Sequence, residues 1–105
     1  MNVLTEHEVA AVDEIPVGEG RAFAVDGTAF AVFRLRDGSV HATQALCPHA
    51  GGPLADGQLD DCVVVCPLHS YAFELATGAP RSGPTPLVVY PARVQDGAVL
   101  VSLPG

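Results

Sequence analysis

Basic side chains are scarce in this chain of 105 residues. It has five arginines and no lysine against twelve acidic residues, and the formal net charge is −7 at pH 7. Nucleic-acid binding depends on a basic patch or stripe, so the composition excludes that class of function. An acidic surface favours solubility, and it can also steer a protein towards a basic surface on a partner. The composition is compatible with both roles.

Long apolar runs are missing as well. No run approaches the 18 residues that a membrane-spanning helix needs. No charged segment at the N-terminus leads into an apolar stretch, so we expect no signal peptide. The length suits one hydrophobic core, and we therefore expect a single domain over residues 1–105.

No segment sustains the 3.6-residue apolar period of a helix. Eleven glycines and nine prolines favour turns instead. Asp26-Gly27 is a strong hairpin signal, and Asp37-Gly38 and Asp96-Gly97 also separate apolar-rich runs. The runs predicted as strands lie at 21–25, 28–36, 39–45, 88–94 and 98–103, and 5–12 fits a strand better than a short helix. The predicted fold class is all-β, small and antiparallel.

Two short clusters of metal-binding residues dominate the sequence. Cys47 and His49 form the first, and Cys66 and His69 form the second, with sixteen residues between the clusters. Two cysteines and two histidines can hold a [2Fe–2S] cluster in which two histidines replace two cysteines on one iron. The same residues could hold a zinc ion.

The spacing inside each cluster favours iron–sulfur over zinc. In an extended segment Cys47 and His49 point the same way and lie about 6.6 Å apart, which suits ligands of two different irons. Structural zinc pairs usually leave two to four residues between ligands, and zinc fingers have the order Cys, Cys, His, His. Pro48 and Pro67 follow the two cysteines and stiffen both loops.

The remaining cysteine and histidines fall outside this pattern. Two cysteines in the motif leave no pair for a disulfide, and the absence of a targeting sequence adds to the expectation of a reducing cytoplasm. Cys62 is predicted to be structural, because the β-branched run that follows it at 63–65 predicts a strand. We assign no function to His7 or His41.

The pattern of C-x-H, sixteen residues and C-x-x-H resembles the Rieske iron–sulfur signature. The resemblance covers about residues 46–97 and includes GGPL at 51–54, the strand-and-turn segment YAFELATG at 71–78, and GPTP at 83–86. The last of these looks like the proline-rich loop that covers the cluster in this family. The resemblance implies a Rieske fold, in which a cluster-binding subdomain, here about residues 46–86, is inserted into a β-sandwich base.

The resemblance also implies the roles of the ligands. Cys47 and Cys66 would bind the inner iron of one [2Fe–2S] cluster per chain, and His49 and His69 would bind the outer iron near solvent. The electron would leave through the edge of the two histidines, which Gly51, Leu68 and Pro84 would flank. Such a chain is an electron-transfer component and not a catalyst by itself.

Departures from the high-potential members of the family point to the low-potential, ferredoxin-like branch. Those members have a disulfide between the ligand loops, and Gly52 and Leu68 stand in its place. Tyr71 stands where they have a serine, and Phe73 where they have a tyrosine. Phe73 has no hydroxyl to donate to the cluster.

The resemblance leaves two kinds of partner open. One kind is the flavin reductase and the oxygenase between which a Rieske ferredoxin carries electrons. The other is the large subunit of a cytoplasmic NAD(P)H-dependent nitrite reductase, to whose small subunit the segment 77–99 is similar. We favour the general one-electron carrier, since the cluster follows from the residues and the partner does not. A zinc-bound interaction module without redox function is the remaining alternative.

Overall fold

The computed structural model describes residues 4–48, 51–67, 71–81 and 85–104. In these ranges no helix reaches the length and hydropathy that a membrane crossing requires. Two short 3₁₀ turns, Val12–Glu14 and Leu54–Asp56, accompany the strands. The ten strands of the described residues are β1 Leu4–Ala11, β2 Glu19–Val25, β3 Thr28–Arg34, β4 Val40–Gln44, β5 Gln58–Asp60, β6 Val63–Val65, β7 Ala72–Glu74, β8 Val89–Tyr90, β9 Ala92–Gln95 and β10 Ala98–Pro104.

The strands form three antiparallel sheets with the orders β1-β10-β9, β2-β3-β4-β8 and β5-β6-β7. The prediction of a small antiparallel all-β fold is confirmed. The sheet β5-β6-β7 lies between β4 and β8 in sequence, as the predicted insertion into a two-sheet base requires. The limits of the cluster-binding subdomain, about 46–86, stay a prediction.

Two Asp-Gly turns set the hairpins of the base. Asp26 and Gly27 have φ of 49° and 82°, and Asp96 and Gly97 have φ of 52° and 77°. Positive φ at both central residues is the type I′ geometry, whose twist matches that of the paired strands. Both turns lie where the sequence predicts them, and they fix the registers of β2 with β3 and of β9 with β10.

Strand β3 is buried on both faces. Successive side chains of a strand point to opposite faces of its sheet. Ala31 and Phe33 therefore pack into a core that also contains residues of β6 and β7, here called the cluster core. Phe30 and Val32 pack into a second core with residues of β10, here called the base core. The sheet β2-β3-β4-β8 is thus the middle layer between the other two sheets.

Gly78 joins the turn after β7 to the chain that leads into β8. The Leu87 N–H donates to the Gly78 carbonyl over 2.8 Å, and Gly78 has φ of 79°. A Cβ at this position would lie 3.1 Å from the Leu87 carbonyl carbon and 3.2 Å from Val89 Cγ1. Gly97 has nearly the same φ, but a Cβ there would meet no atom within 4 Å.

This pair gives a matched test of how the segment before β8 is anchored. We expect Gly97→Ala to lower the free energy of unfolding by about 1–2 kcal/mol, the cost of a left-handed backbone for alanine. Gly78→Ala should cost about 1–3 kcal/mol more, because the new methyl group overpacks against Leu87. Urea denaturation followed by circular dichroism measures both losses. Equal losses would contradict the close approach of Leu87 to Gly78.

Candidate metal centre

Cys47 and Cys66 lie together in the cluster core, and their exposed fractions are 3% and 2%. The same core contains Phe33 from the middle sheet and Phe73 from β7. None of the three cysteines of the chain, all of which the structure describes, is in a disulfide. The fold therefore brings the two predicted thiolate ligands from separate loops into one apolar environment.

The two loops that carry these cysteines are closed in the same way at their ends. The Cys47 N–H donates to the Gly52 carbonyl over 2.8 Å, and the Cys66 N–H donates to the Tyr71 carbonyl over 2.7 Å. One residue further out, Leu46 pairs with Pro53 and Val65 pairs with Ala72, both in antiparallel fashion. Each cysteine is thus the first residue of a six-residue loop that a backbone hydrogen bond closes at its last residue.

The first loop has a further constraint at Gly51. Its N–H donates to the Cys47 carbonyl over 2.9 Å, and its φ is 69°. This left-handed conformation favours glycine. Both the N–H and the carbonyl of Cys47 are therefore hydrogen-bonded within the loop, which fixes the backbone that carries the thiol.

The predicted histidine ligands lie outside the described residues. His49 falls in the gap at 49–50, and His69 falls in the gap at 68–70 with Leu68. Pro84 lies in the gap at 82–84, whereas Gly51 is described and exposed. Among the described residues there is no group of three or more Cys, His, Asp or Glu side chains that could hold a metal ion. Two of the four predicted ligands are thus placed together.

The described thiols fit the inner half of a [2Fe–2S] site. An isolated thiolate in an apolar core is costly, and a bound metal ion removes that cost. Two buried cysteines from two closed loops present such donors away from water. A bound cluster supplies a centre that gains and loses one electron. The chain's own contribution would be to hold both thiols in one apolar core, away from water.

Phe73 and Tyr71 hold two positions at which the sequence departs from the high-potential members of the family. Phe73 is fully buried in the cluster core with both cysteines. Tyr71 is half-buried and packs against the same core. The core that holds the two thiols therefore contains no hydroxyl at position 73.

Cys62 lies apart from both cores. It is exposed in the two-residue turn between β5 and β6, and Asp61 before it has φ of 59°. The predicted strand that follows is β6, but the prediction of a structural cysteine finds no support in packing. A sequence signal for the turn existed, since Asp61 stands before Cys62 as Asp26 and Asp96 stand before their glycines.

His41 and His7 lie on strands β4 and β1 and not in the ligand loops. His41 Nε2 lies 3.3 Å from Ser39 Oγ. Burial lowers the pKa of His41, and the nearby Asp37 carboxylate partly opposes this shift. His41 is therefore partly buried on β4, away from both cysteines of the cluster core.

Two exposed apolar side chains flank the ligand loops, and the sequence analysis did not single them out. Leu46 is 53% exposed directly before Cys47, and Val88 is 54% exposed directly before β8. Their neighbours Pro53 and Pro86 are also exposed. The signal in the sequence was weak, because nothing in it shows that one side chain, Gln44, hydrogen-bonds to the backbones of both residues 46 and 88.

Comparison with known proteins agrees with this geometry. The family model of the Rieske [2Fe-2S] domain matches residues 5–92. The anthranilate 1,2-dioxygenase ferredoxin subunit of Burkholderia cepacia is 37% identical over 99 residues, which is 92% of this chain and 91% of that protein.

Solved structures give the same fold. A protein described as the NADH-dependent nitrite reductase small subunit of Mycobacterium tuberculosis superposes with a TM-score of 0.90 at 32% identity, over 98% of each chain. A chain from the complex of oxygenase and ferredoxin in carbazole 1,9a-dioxygenase gives a TM-score of 0.81 at 35% identity, over 92% of each chain. The chain therefore belongs to the Rieske [2Fe-2S] domain family, and it is a one-electron carrier with a [2Fe–2S] cluster.

Proposed function

We propose that this chain passes single electrons from a reductase to a terminal oxidoreductase through a cluster on Cys47, His49, Cys66 and His69. The observation that carries the ligand assignment is the burial of both cysteines in one core, each at the start of an equivalent closed loop. The motif supplies the two histidines. Cys47 and Cys66 would bind the inner iron, and His49 and His69 would bind the outer iron near solvent.

Two partner systems have specific support. The 37% identity to a dioxygenase ferredoxin subunit favours a flavin reductase as donor and an oxygenase as acceptor. The TM-score of 0.90 to a nitrite reductase small subunit favours permanent assembly with a nitrite reductase large subunit. We favour the ferredoxin role. A transient carrier should purify alone, whereas a subunit should purify with its large partner.

The cytoplasm is the proposed compartment. All three cysteines lie outside disulfides, and Cys62 is an exposed thiol. Thiols of this kind persist in reducing compartments.

The first prediction from this proposal concerns the ligands. Wild-type protein purified without air should be red-brown, with about two irons and two acid-labile sulfides per chain. Cys47→Ser and Cys66→Ser should each abolish the cluster, since each removes a thiolate from the inner iron. Iron and sulfide analysis with visible absorption spectra measures the content.

Cys62→Ser is the matched control for these variants. Its side chain is exposed in a turn, so the cluster should be retained and the free energy of unfolding should change by no more than about 0.5 kcal/mol. A folded Cys62→Ser protein that assembles no cluster would refute the assignment of ligands. A colourless wild-type protein with one zinc ion would refute the iron–sulfur proposal itself.

The second prediction concerns the reduction potential. The midpoint should lie in the lower part of the Rieske range of roughly −150 to +300 mV, because Phe73 offers no hydroxyl donor. Phe73→Tyr should raise the midpoint, because an added donor to sulfur stabilises the reduced, more negative state. Protein-film voltammetry at neutral pH measures the shift.

Phe23→Tyr provides the control for that shift. Phe23 packs against the base core and stacks on Phe30, with ring centroids 5.9 Å apart. A hydroxyl there adds the same group on the opposite side of the middle sheet and should leave the midpoint unchanged. A wild-type midpoint near the top of the range, or equal shifts in the two variants, would show that position 73 does not set the potential.

The third prediction concerns association with the reductase. The net charge of −7 should steer the chain towards a basic surface, and screening acts over about 10 Å at 0.1 M salt. Stopped-flow reduction by the cognate reductase should therefore become slower as ionic strength rises. The exposed Leu46 and Val88 would add a small apolar contact of the kind that transient redox complexes use.

Charge variants separate local steering from net charge. Asp56 is exposed in the 3₁₀ turn after the first ligand loop, and Asp56→Asn should slow the reaction and weaken its salt dependence. Asp96→Asn removes the same charge from the turn between β9 and β10, in the sheet β1-β10-β9. Asparagine keeps the type I′ geometry of that turn. A rate that is indifferent to salt would remove the steering role and leave the acidic surface with solubility alone.

A further inference from the structure

The side chain of Gln44 connects two segments that meet beside the first ligand loop. Gln44 is the last residue of β4 and is half-buried. Its amide Nε2 donates to the Leu46 carbonyl over 2.7 Å, and its Oε1 accepts from the Val88 N–H over 2.8 Å. If the amide were turned over, Nε2 would face the Val88 N–H and Oε1 would face the Leu46 carbonyl, and neither pair could form a hydrogen bond. The two contacts therefore define one orientation of the amide.

These contacts continue the β4–β8 ladder where the two backbones separate. Thr43 pairs with Val89, and the Gln44 N–H donates to the Val88 carbonyl over 2.9 Å. The Gln44 carbonyl accepts from the buried Thr43 hydroxyl over 2.8 Å. The Val88 N–H donates to the side-chain oxygen of Gln44 and not to a backbone carbonyl of β4. The chain after β4 can therefore leave the ladder and lead to Cys47.

The two segments joined by Gln44 both bear on the metal centre. Leu46 directly precedes Cys47, whose backbone is fixed within its loop. Val88 follows the segment that resembles the covering proline-rich loop, and the Leu87 N–H fixes the end of that segment to Gly78. One side-chain amide therefore joins the backbone directly before Cys47 to the backbone directly after Leu87.

We propose that Gln44 is a positioning residue for the metal centre, which holds the Cys47 loop against the segment that precedes β8. The inference rests on the proposed ligation by Cys47 and its three partners. Gln44 acts through Leu46 and Val88 and is not itself a ligand. Its loss should let the loop and the covering segment separate and admit water to the cysteine sulfurs.

The chemistry of the amide suggests two test variants. Gln44→Ala removes both hydrogen bonds. Gln44→Glu keeps an acceptor for the Val88 N–H, but its carboxylate has no proton for the Leu46 carbonyl and repels that oxygen. The second variant retains the size of the side chain, so it remains informative should the alanine variant fail to fold.

Gln95 supplies the control. It is the last residue of β9, is exposed, and its Oε1 accepts from Arg93 Nη1 over 2.5 Å. Gln95→Ala thus also removes a hydrogen-bonded glutamine amide at the end of a strand, but in the sheet β1-β10-β9. The experiment compares the holoproteins of wild type and all three variants.

The rate of iron loss to an added chelator is read from the decay of visible absorption. Gln44→Ala and Gln44→Glu should lose iron about tenfold faster than wild type, which is the lower end of the change in metal affinity when a group that orients a ligand is removed. The EPR g-values of the reduced proteins should shift in both variants, and Gln95→Ala should match wild type in rate and spectrum.

Two results would overturn the positioning role. One is iron loss at the wild-type rate with an unchanged spectrum in both Gln44 variants. The other is faster loss in Gln44→Ala with wild-type g-values and a matching fall in the free energy of unfolding, which would make Gln44 a merely structural residue. A wild-type protein without a cluster would refute the ligand proposal, and this inference with it.

Discussion

The burial of strand β3 on both faces is the constraint on which the rest of the structure depends. Phe30 and Val32 are fully buried on the side of the base core, and Ala31 and Phe33 are fully buried on the side of the cluster core. One strand thereby couples the stability of the base to the environment of Cys47 and Cys66. Because packed interiors tolerate little change in volume, the apolar surroundings of the two thiols cannot shift independently of the base.

The base and the inserted sheet β5-β6-β7 contribute differently to the structure. The base contributes long hairpins whose registers are fixed by Asp-Gly turns, and the buried residues of its core include none of the four predicted ligands. The inserted sheet has strands of three residues each, and it contributes Val64 and Phe73 to the cluster core, which also contains Cys66 directly after β6. Sheets this small depend on packing against other layers, and here on the ligation that the cysteines are proposed to provide.

Local chemistry made most of the fold predictable from sequence, whereas the set of four ligands stays a prediction. The Asp-Gly turns needed positive φ at two successive residues, so they identified hairpins directly. The two tight clusters single out Cys47 and Cys66 because clusters at this spacing have few other uses, and the structure buries both cysteines in one core. The two hydrogen bonds that join the Gln44 side chain to the backbones of Leu46 and Val88 were not predictable. They depend on how the strand before Cys47 packs against the segment before β8, and no local pattern encodes that.

The central claim is that two buried thiolates and two imidazoles hold one cluster between the cluster core and the surface. Pulsed EPR of the reduced protein, labelled with ¹⁵N only at histidine, tests it most directly. The account predicts coupling to two histidine nitrogens, with one lost in His49→Cys and the other in His69→Cys. A reduced cluster with no coupled histidine nitrogen, or one whose coupling survives both substitutions, would contradict it.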